Sequence, residues 1–224
     1  LYTIVVRCRA LLEEDLGLQL EGAYGVHGDG RVEPLAGLAH LDAVGRADRR
    51  AVEAALRHFA TAGGNRQQAV ERIVRESAYT VLNRLAALKL MEHLSRALIQ
   101  PSVGAGDRSR GFTQLALVSP EAMRSQPDGG YRRYLELLCD DLARIPVLTG
   151  LFDRSLPTSL LFPTQPCLHE VLSLLNDPQI EAAWGEDETI GWIYQYFTPA
   201  ELRDQARKAS SAPRNSYELA FRNQ

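Results

Sequence analysis

Apolar side chains recur at intervals of three and four residues along most of the chain, a spacing typical of helices that pack one face against a core. Val5, Cys8, Leu12 and Leu16 form the first such stripe and predict a helix that ends around Gly17 to Gly22. Four later stripes predict further helices, and their apolar positions are Val52, Ala55, Leu56 and Phe59; Tyr131, Tyr134, Leu135, Leu138, Leu142 and Ile145; Leu168, Val171, Leu172 and Leu175; and Ile190, Ile193, Tyr194 and Phe197.

The stretch "SAYTVLNRLAALKLMEHLS", residues 77 to 95, differs from these stripes because its apolar side chains point almost all the way round a helix. A helix of this kind is buried on several sides, so we predict a central helix running from about residue 67 to 98. Asn83 and Arg84 lie in its middle, and an unpaired buried amide costs about 1 to 3 kcal/mol. We therefore expect Arg84 to meet a carboxylate or several carbonyls inside the domain, or to reach its edge. The alternative is that this face docks a further domain.

Turn and capping signals divide the remaining chain. "HGDG" predicts a turn with at most a short hairpin, and four prolines between residues 146 and 166 predict an extended, packed connection. Asp177 before Pro178 predicts the start of a short helix reaching Trp184, and Ser119 to Glu121 predicts another start. Thr198 with Glu201 forms a capping box, which predicts a break in the last helix.

The predicted fold is therefore mainly α: a multi-helix domain of seven or eight helices with at most a short hairpin. We divide it into residues 1–64, an N-terminal helical segment with a glycine-rich connection, and residues 65–224, a helical domain. The chain begins with Leu1 and stops within an amphipathic segment, so we expect both ends to be truncated.

Composition narrows the class of protein. The 224 residues are 45% hydrophobic, enough for a real core, and carry a formal net charge of −3. This charge excludes binding to nucleic acid by bulk charge alone. Cys8, Cys139 and Cys167 are widely separated, and no apolar run approaches the roughly 20 residues of a membrane span. We expect a reduced, cytoplasmic compartment and no membrane partner.

The common catalytic patterns are missing: the sequence contains no GxxxxGK[ST], HExxH, GxSxG or EF-hand loop. The five histidines are isolated from each other and from cysteine. Glu186, Asp187 and Glu188 have two interpretations, a magnesium site or carboxylates in a first helical turn. The aromatic residues 192, 194, 196 and 197 either stack on bases or belong to the core. We predict no catalytic, cofactor-binding or metal-binding residue.

Basic residues are in excess in two places, residues 66 to 110 and the C-terminal tail. Either could follow a phosphate backbone, which requires several cations on one face, and the alternative for both is a solvated helix face. The candidate DNA-backbone contacts in the tail are Arg203, Arg207, Lys208, Arg214 and Arg222.

Two stretches resemble a known family. "AYTVLNRLAALKLMEHL", residues 78 to 94, is similar to the helix AYTWxNRLxALRFME that precedes the catalytic domain of large adenine-N6 DNA methyltransferases. These enzymes belong to the BREX and DISARM phage-defence systems and are related to fused type II restriction-methyltransferases. "DETIGWIYQYF", residues 187 to 197, resembles the family's later segment E-x-IGWxYQ(F/Y)Y, and "AFRNQ" resembles the stretch that leads into Q-F-F-T-P.

The resemblance implies that this chain is the N-terminal helical region of such an enzyme. Its partners would be double-stranded DNA, its own downstream methyltransferase domain and other defence-system subunits. S-adenosylmethionine is implied for that Rossmann-like domain only, because the (D/N)PP(Y/F) motif and the F-x-G-x-G loop are absent here. This segment is therefore expected to be inactive alone, and Asn83, Arg84, Trp192 and Tyr194 are assigned structural roles. The alternative is a stand-alone helical interaction module without a role in methylation.

Overall fold

The computed structural model describes residues 1–61, 64–94, 99–120, 130–186 and 188–197, and these are the described residues below. They are mainly helical and contain no sheet; one isolated bridge joins Val26 to Val32. The predicted mainly α fold with at most a short hairpin is confirmed. The α-helices are α1 (Tyr2–Tyr24), α2 (Ala43–Thr61), α3 (Arg66–Leu94), α4 (Arg110–Val118), α5 (Tyr131–Leu142), α6 (Thr149–Phe152), α7 (Gln165–Leu175) and α8 (Thr189–Phe197).

Four 3-10 helices complete the described part of the chain: Leu35–Gly37, Gly106–Arg108, Pro157–Ser159 and Pro178–Gly185. The last one bears out the predicted short helix, because the Asp177 side chain accepts a hydrogen bond from the Gln179 N–H at 2.8 Å. The proline-rich connection is less extended than predicted, since it also contains α6 and the 3-10 helix Pro157–Ser159. The predicted helix start at residues 119–121 lies partly outside the described residues, and the predicted capping box at 198–201 lies wholly outside them.

Helix α3 is the central helix, as its all-round apolar pattern predicts. It contacts α1, α2, α6 and α8, and two of the 3-10 helices also pack on it. Its buried apolar residues face several directions, and they include Val70, Ile73, Val81, Leu82, Leu85 and Leu88. At its start the Asn65 Oδ1 accepts from the Gln68 N–H and the Gln68 Oε1 accepts from the Asn65 N–H, so two otherwise unpaired donors are satisfied.

Helix α1 packs on α3, α7 and α8. It runs past the predicted end at Gly17 to Gly22 because Leu20 continues the buried stripe, and that burial outweighs the weak helix propensity of two glycines. Gly25 ends the helix instead, in the left-handed conformation with φ +60° that glycine adopts without strain. The bridge between Val26 and Val32 then closes the small hairpin.

Helix α5 departs from its predicted stripe at two positions, because Leu138 is only half-buried and Ile145 lies beyond the end of the helix. It ends at Leu142, and turns occupy the residues that follow, so Ile145 is 45% exposed instead of buried. Cys139 takes a buried position on this face. In α7 all four predicted positions are buried.

One hydrophobic core includes buried residues from both predicted segments, for example Leu12 and Val52 from the first and Leu85 and Trp184 from the second. The helices before residue 64 thus share their main packing surface with those after it. The division into 1–64 and 65–224 stays a prediction.

Candidate functional site

A cleft of about 340 Å³ lies between α3, α8 and the connection that follows α5. Helix α3 contributes one face to it, since its lining positions recur at intervals of three and four residues. The lining residues are Glu76, Tyr79, Thr80, Asn83 and Arg84 from α3, Tyr194 from α8, and Gly150, Leu151, Leu156 and Thr158 from the connection.

The two stretches that carry the family resemblance contact each other at this cleft. The ring centroids of Tyr79 and Tyr194 are 5.1 Å apart with the planes at 89°, and those of Tyr79 and Phe197 are also 5.1 Å apart. Edge-to-face contacts of this kind stabilise aromatic pairs beyond the burial of their area. Positions more than a hundred residues apart in sequence therefore build one local structure.

Arg84 is fully engaged with the far wall of the cleft. Its Nε donates to the Leu151 carbonyl at 2.8 Å, and its Nη2 donates to the Asp153 carbonyl at 2.8 Å and to the Ser159 Oγ at 2.7 Å. Burial lowers the pKa of Arg84, because desolvation disfavours the charged guanidinium. These bonds hold residues 151–159 against α3 and so shape the opening of the cleft.

Asn83, the neighbour of Arg84, is in the opposite situation. Its Oδ1 is buried and has no hydrogen-bond partner in the described part of the chain. An unsatisfied buried acceptor costs about 1 to 3 kcal/mol, and native proteins keep few of them. A side-chain amide offers an acceptor and two donors together, so it matches a polypeptide backbone or another amide-like group.

The aromatic residues of α8 pack mostly within the domain. Phe197 and Ile193 are fully buried, and Tyr196 makes an edge contact with Tyr2 at 5.4 Å between ring centroids. Tyr194 lines the cleft, whereas Trp192 is half-buried and lies outside it. Of the four residues assigned structural roles, the structure brings Asn83, Arg84 and Tyr194 together.

Three cations of the basic stretch from 66 to 110 have partners within the domain, whereas Arg66, Arg108 and Arg110 are exposed. Arg84 is buried, and the buried Lys89 donates from its Nζ to the Asn176 Oδ1 at 2.7 Å. Arg72 pairs with Glu76 at 2.8 Å. These cations serve contacts inside the domain, so the sequence overstated their availability to phosphate. Arg96 and the candidate DNA contacts Arg203, Arg207, Lys208, Arg214 and Arg222 lie outside the described residues.

Two buried charged groups were not recognised from the sequence. Arg49 donates to the carbonyls of Tyr24 and Glu33 and pairs with Glu53 at 2.7 Å. Glu92 accepts hydrogen bonds from three successive backbone N–H groups, those of residues 102, 103 and 104. Each lies on the buried side of its helix: Arg49 is three residues before Val52, and Glu92 is four residues after Leu88. A charged residue within an apolar stripe was therefore the signal that could have identified both groups.

The thiols and carboxylates offer little chemistry. Burial raises the pKa of Cys8 to about 12, of Cys139 to about 11 and of Cys167 to about 12, so none is a thiolate nucleophile near neutral pH. Within the described ranges, no group of three or more His, Cys, Asp and Glu side chains is arranged to hold a metal ion. Glu186 and Glu188 lie before α8, whose first turn contains no acidic residue, so neither is the first-turn carboxylate that the sequence suggested. Asp187 lies outside the described residues.

The described residues lack the elements that hold S-adenosylmethionine in a Rossmann-like domain. Sites for nucleotide-like cofactors in Rossmann-like domains use a glycine-rich turn after a strand, and the described residues contain only one isolated bridge. The Arg84 guanidinium already donates hydrogen bonds to three oxygens of its own chain.

Within the described residues, no helix combines the length and the apolar composition that a membrane span requires.

Comparisons of the chain with protein-family models, with curated proteins and with solved structures found no match.

Proposed function

We propose that residues 1–224 form the N-terminal scaffold of an S-adenosylmethionine-dependent adenine-N6 DNA methyltransferase that acts in the cytoplasm in a phage-defence system. The observation that carries the proposal is the meeting of the two family-like stretches at one cleft, where Tyr79 and Tyr194 are in contact. Asn83 also lines this cleft, and its buried oxygen has no hydrogen-bond partner among the described residues. A buried polar atom without a partner, such as the Asn83 oxygen, departs from the usual pattern of folded proteins, and such departures are expected mainly at functional sites.

In this proposal the cleft receives the methyltransferase domain of the same polypeptide. Asn83 bonds to a backbone amide of that domain, and the apolar wall formed by Leu151 and Leu156 covers a neighbouring side chain. Arg84 positions this wall and does not contact the catalytic domain. The catalytic domain supplies the S-adenosylmethionine site and the adenine pocket, so the scaffold acts by holding that domain in its working position.

Double-stranded DNA is the substrate in this proposal, and other defence-system subunits are further partners. The tail cations Arg203, Arg207, Lys208, Arg214 and Arg222 contact the DNA backbone, where several cations acting together give affinity without sequence preference. The base sequence is read elsewhere in the enzyme.

The first test is the coding sequence beyond Gln224, which we expect to read F-F-T-P and then an NPPY-type motif. The second test is Asn83→Leu in that longer enzyme, measured as transfer of labelled methyl groups from S-adenosylmethionine to DNA. We expect at least a tenfold loss of activity without loss of stability, because leucine removes an unsatisfied polar group and keeps a similar volume. Gln114→Leu is the matched control, since Gln114 is exposed on α4, and it should retain activity.

Full activity of Asn83→Leu would reject the docking role of the cleft. A reading frame without a methyltransferase motif would reject the whole proposal and favour the stand-alone interaction module. The two results are distinguishable, because the activity of Asn83→Leu tests only docking at the cleft, whereas the reading frame tests the link to methyltransferases.

A further inference from the structure

A second concavity, separate from the cleft, runs between α1, α3 and the hairpin that follows α1. Its volume is about 420 Å³. Its floor is apolar and is formed by Leu18, Val26, Val70 and Val74. Leu18 is 65% exposed, whereas Leu12, Leu16 and Leu20 of the same helix are buried. We call this concavity the α1–α3 groove.

Carboxylates surround this floor. Four glutamates and one arginine are the charged residues of the groove: Glu13, Glu14, Glu21, Glu71 and Arg75. Burial raises the pKa of Glu13, with Arg9 and Arg75 lowering it by a smaller amount. A partly buried carboxylate of this kind is stabilised when a further cation approaches, because the cation favours its charged form.

Gly17 gives the groove its depth. It lies in the middle of α1, where glycine costs about 0.5 to 1 kcal/mol relative to alanine. A Cβ added at Gly17 would meet no atom within 4 Å, so no neighbour inside the described fold requires glycine there. Glycine in such a place leaves room for another chain to approach the helix backbone closely.

We propose that the α1–α3 groove binds a basic amphipathic helix of a partner polypeptide. The apolar face of that helix covers Leu18 and Val74 and passes over Gly17, while its lysines or arginines meet Glu13, Glu14 and Glu71. A groove between two packed helices suits an amphipathic helix, which supplies apolar anchors at intervals of three and four residues. This inference goes beyond the proposed function and does not depend on it.

The test uses the full chain and a fluorescently labelled, 14-residue amphipathic peptide of leucine and lysine, with binding followed by anisotropy. A leucine and glutamate peptide of the same pattern is the charge control, and we expect it to bind at least tenfold more weakly. Gly17→Leu should fill the groove and weaken binding of the lysine peptide at least tenfold. Gly22→Leu is the matched control, because Gly22 also lies in α1 with open space at its Cβ but outside the groove, and it should bind as the native chain does.

Glu14→Lys provides an independent variant, since Glu14 is exposed and its replacement leaves the core intact. It should weaken binding of the lysine peptide several-fold and show a smaller salt dependence. Equal binding of the two peptides, or full binding by both Gly17→Leu and Glu14→Lys, would overturn the proposal. A native chain that self-associates until Gly17→Leu makes it monomeric would also overturn it, in favour of a second copy as the occupant.

Discussion

Asn83 and Arg84 are adjacent on the central helix, but their polar groups differ in hydrogen bonding. Arg84 reaches three oxygens on residues 151, 153 and 159, which lie 67 to 75 positions further along the chain. Asn83 has an oxygen with no partner among the described residues. A satisfied buried cation stabilises one arrangement of the chain, whereas an unsatisfied amide is a cost that a binding partner can remove.

Arg84→Met tests whether the hydrogen bonds of Arg84 stabilise the fold. Methionine keeps much of the side-chain length but leaves two carbonyls and a hydroxyl without their donor, so we expect the free energy of unfolding to fall by about 3 kcal/mol. Denaturant unfolding of the full chain measures this change. Arg144→Met is the control, because Arg144 is largely exposed and its ion pair with Asp141 at 3.3 Å contributes little; we expect a change below about 0.5 kcal/mol. Similar losses in both variants would contradict the assigned role of Arg84.

The junction between α1 and the hairpin is the feature to test at the scale of an element. The His27 ring bridges two carboxylates, with Nδ1 2.8 Å from Glu21 and Nε2 2.8 Å from Glu33. These two bonds raise the pKa of His27, although partial desolvation and Arg31 oppose the shift. Both ring nitrogens act as donors only in the imidazolium form, so the bridge is complete only when His27 is charged.

Because the folded-state pKa of His27 is raised, its contribution to stability is fully present below its ordinary pKa of about 6.5 and is lost as the pH rises through the raised value. We expect His27→Gln to lower the urea midpoint more at about pH 6 than at about pH 8.5. The measurements stay above about pH 5, because carboxylates in general begin to gain protons below it. His58→Gln, on α2 away from these carboxylates, is the control. A deficit that is the same at both pH values would contradict the bridge.

Cooperative burial is the feature to test at the scale of the whole molecule. The three thiols come from α1, α5 and α7, all are buried, and all belong to the same core. Their raised pKa values and their burial both protect them from reagents. The rate at which they react therefore reports opening of the core as a whole.

We expect all three cysteines of the folded chain to react with an aromatic disulfide reagent at about pH 8 at least a hundredfold more slowly than glutathione. In concentrated guanidinium chloride all three should react at the rate of a free thiol. The measurement is the absorbance of the released thiolate over time. Rapid reaction of one cysteine in the folded chain would show that its helix opens independently of the core.

The sequence by itself predicted α1, α2, α3, α5, α7 and α8 and most of their buried positions, because helical periodicity is a local property of the chain; α4 and α6 were not predicted. Leu168, Val171, Leu172 and Leu175 show this most clearly, since all four are buried as their spacing predicts. The all-round apolar pattern likewise identified α3 as the central helix. The end of α1 was missed because the gain from burying Leu20 depends on α1's neighbours and not on the local preference of Gly17 and Gly22.

Tertiary structure alone decided where the buried polar groups find partners. Arg49 and Glu92 bond to backbone groups on other elements, and the oxygens that Arg84 meets are brought to it by the packing of α6 and the residues after it. The same packing joins Tyr79 to Tyr194 and leaves the Asn83 oxygen unpaired. A one-dimensional pattern records that a side chain faces inward, but the atoms that meet it there are set by contacts between residues distant in sequence.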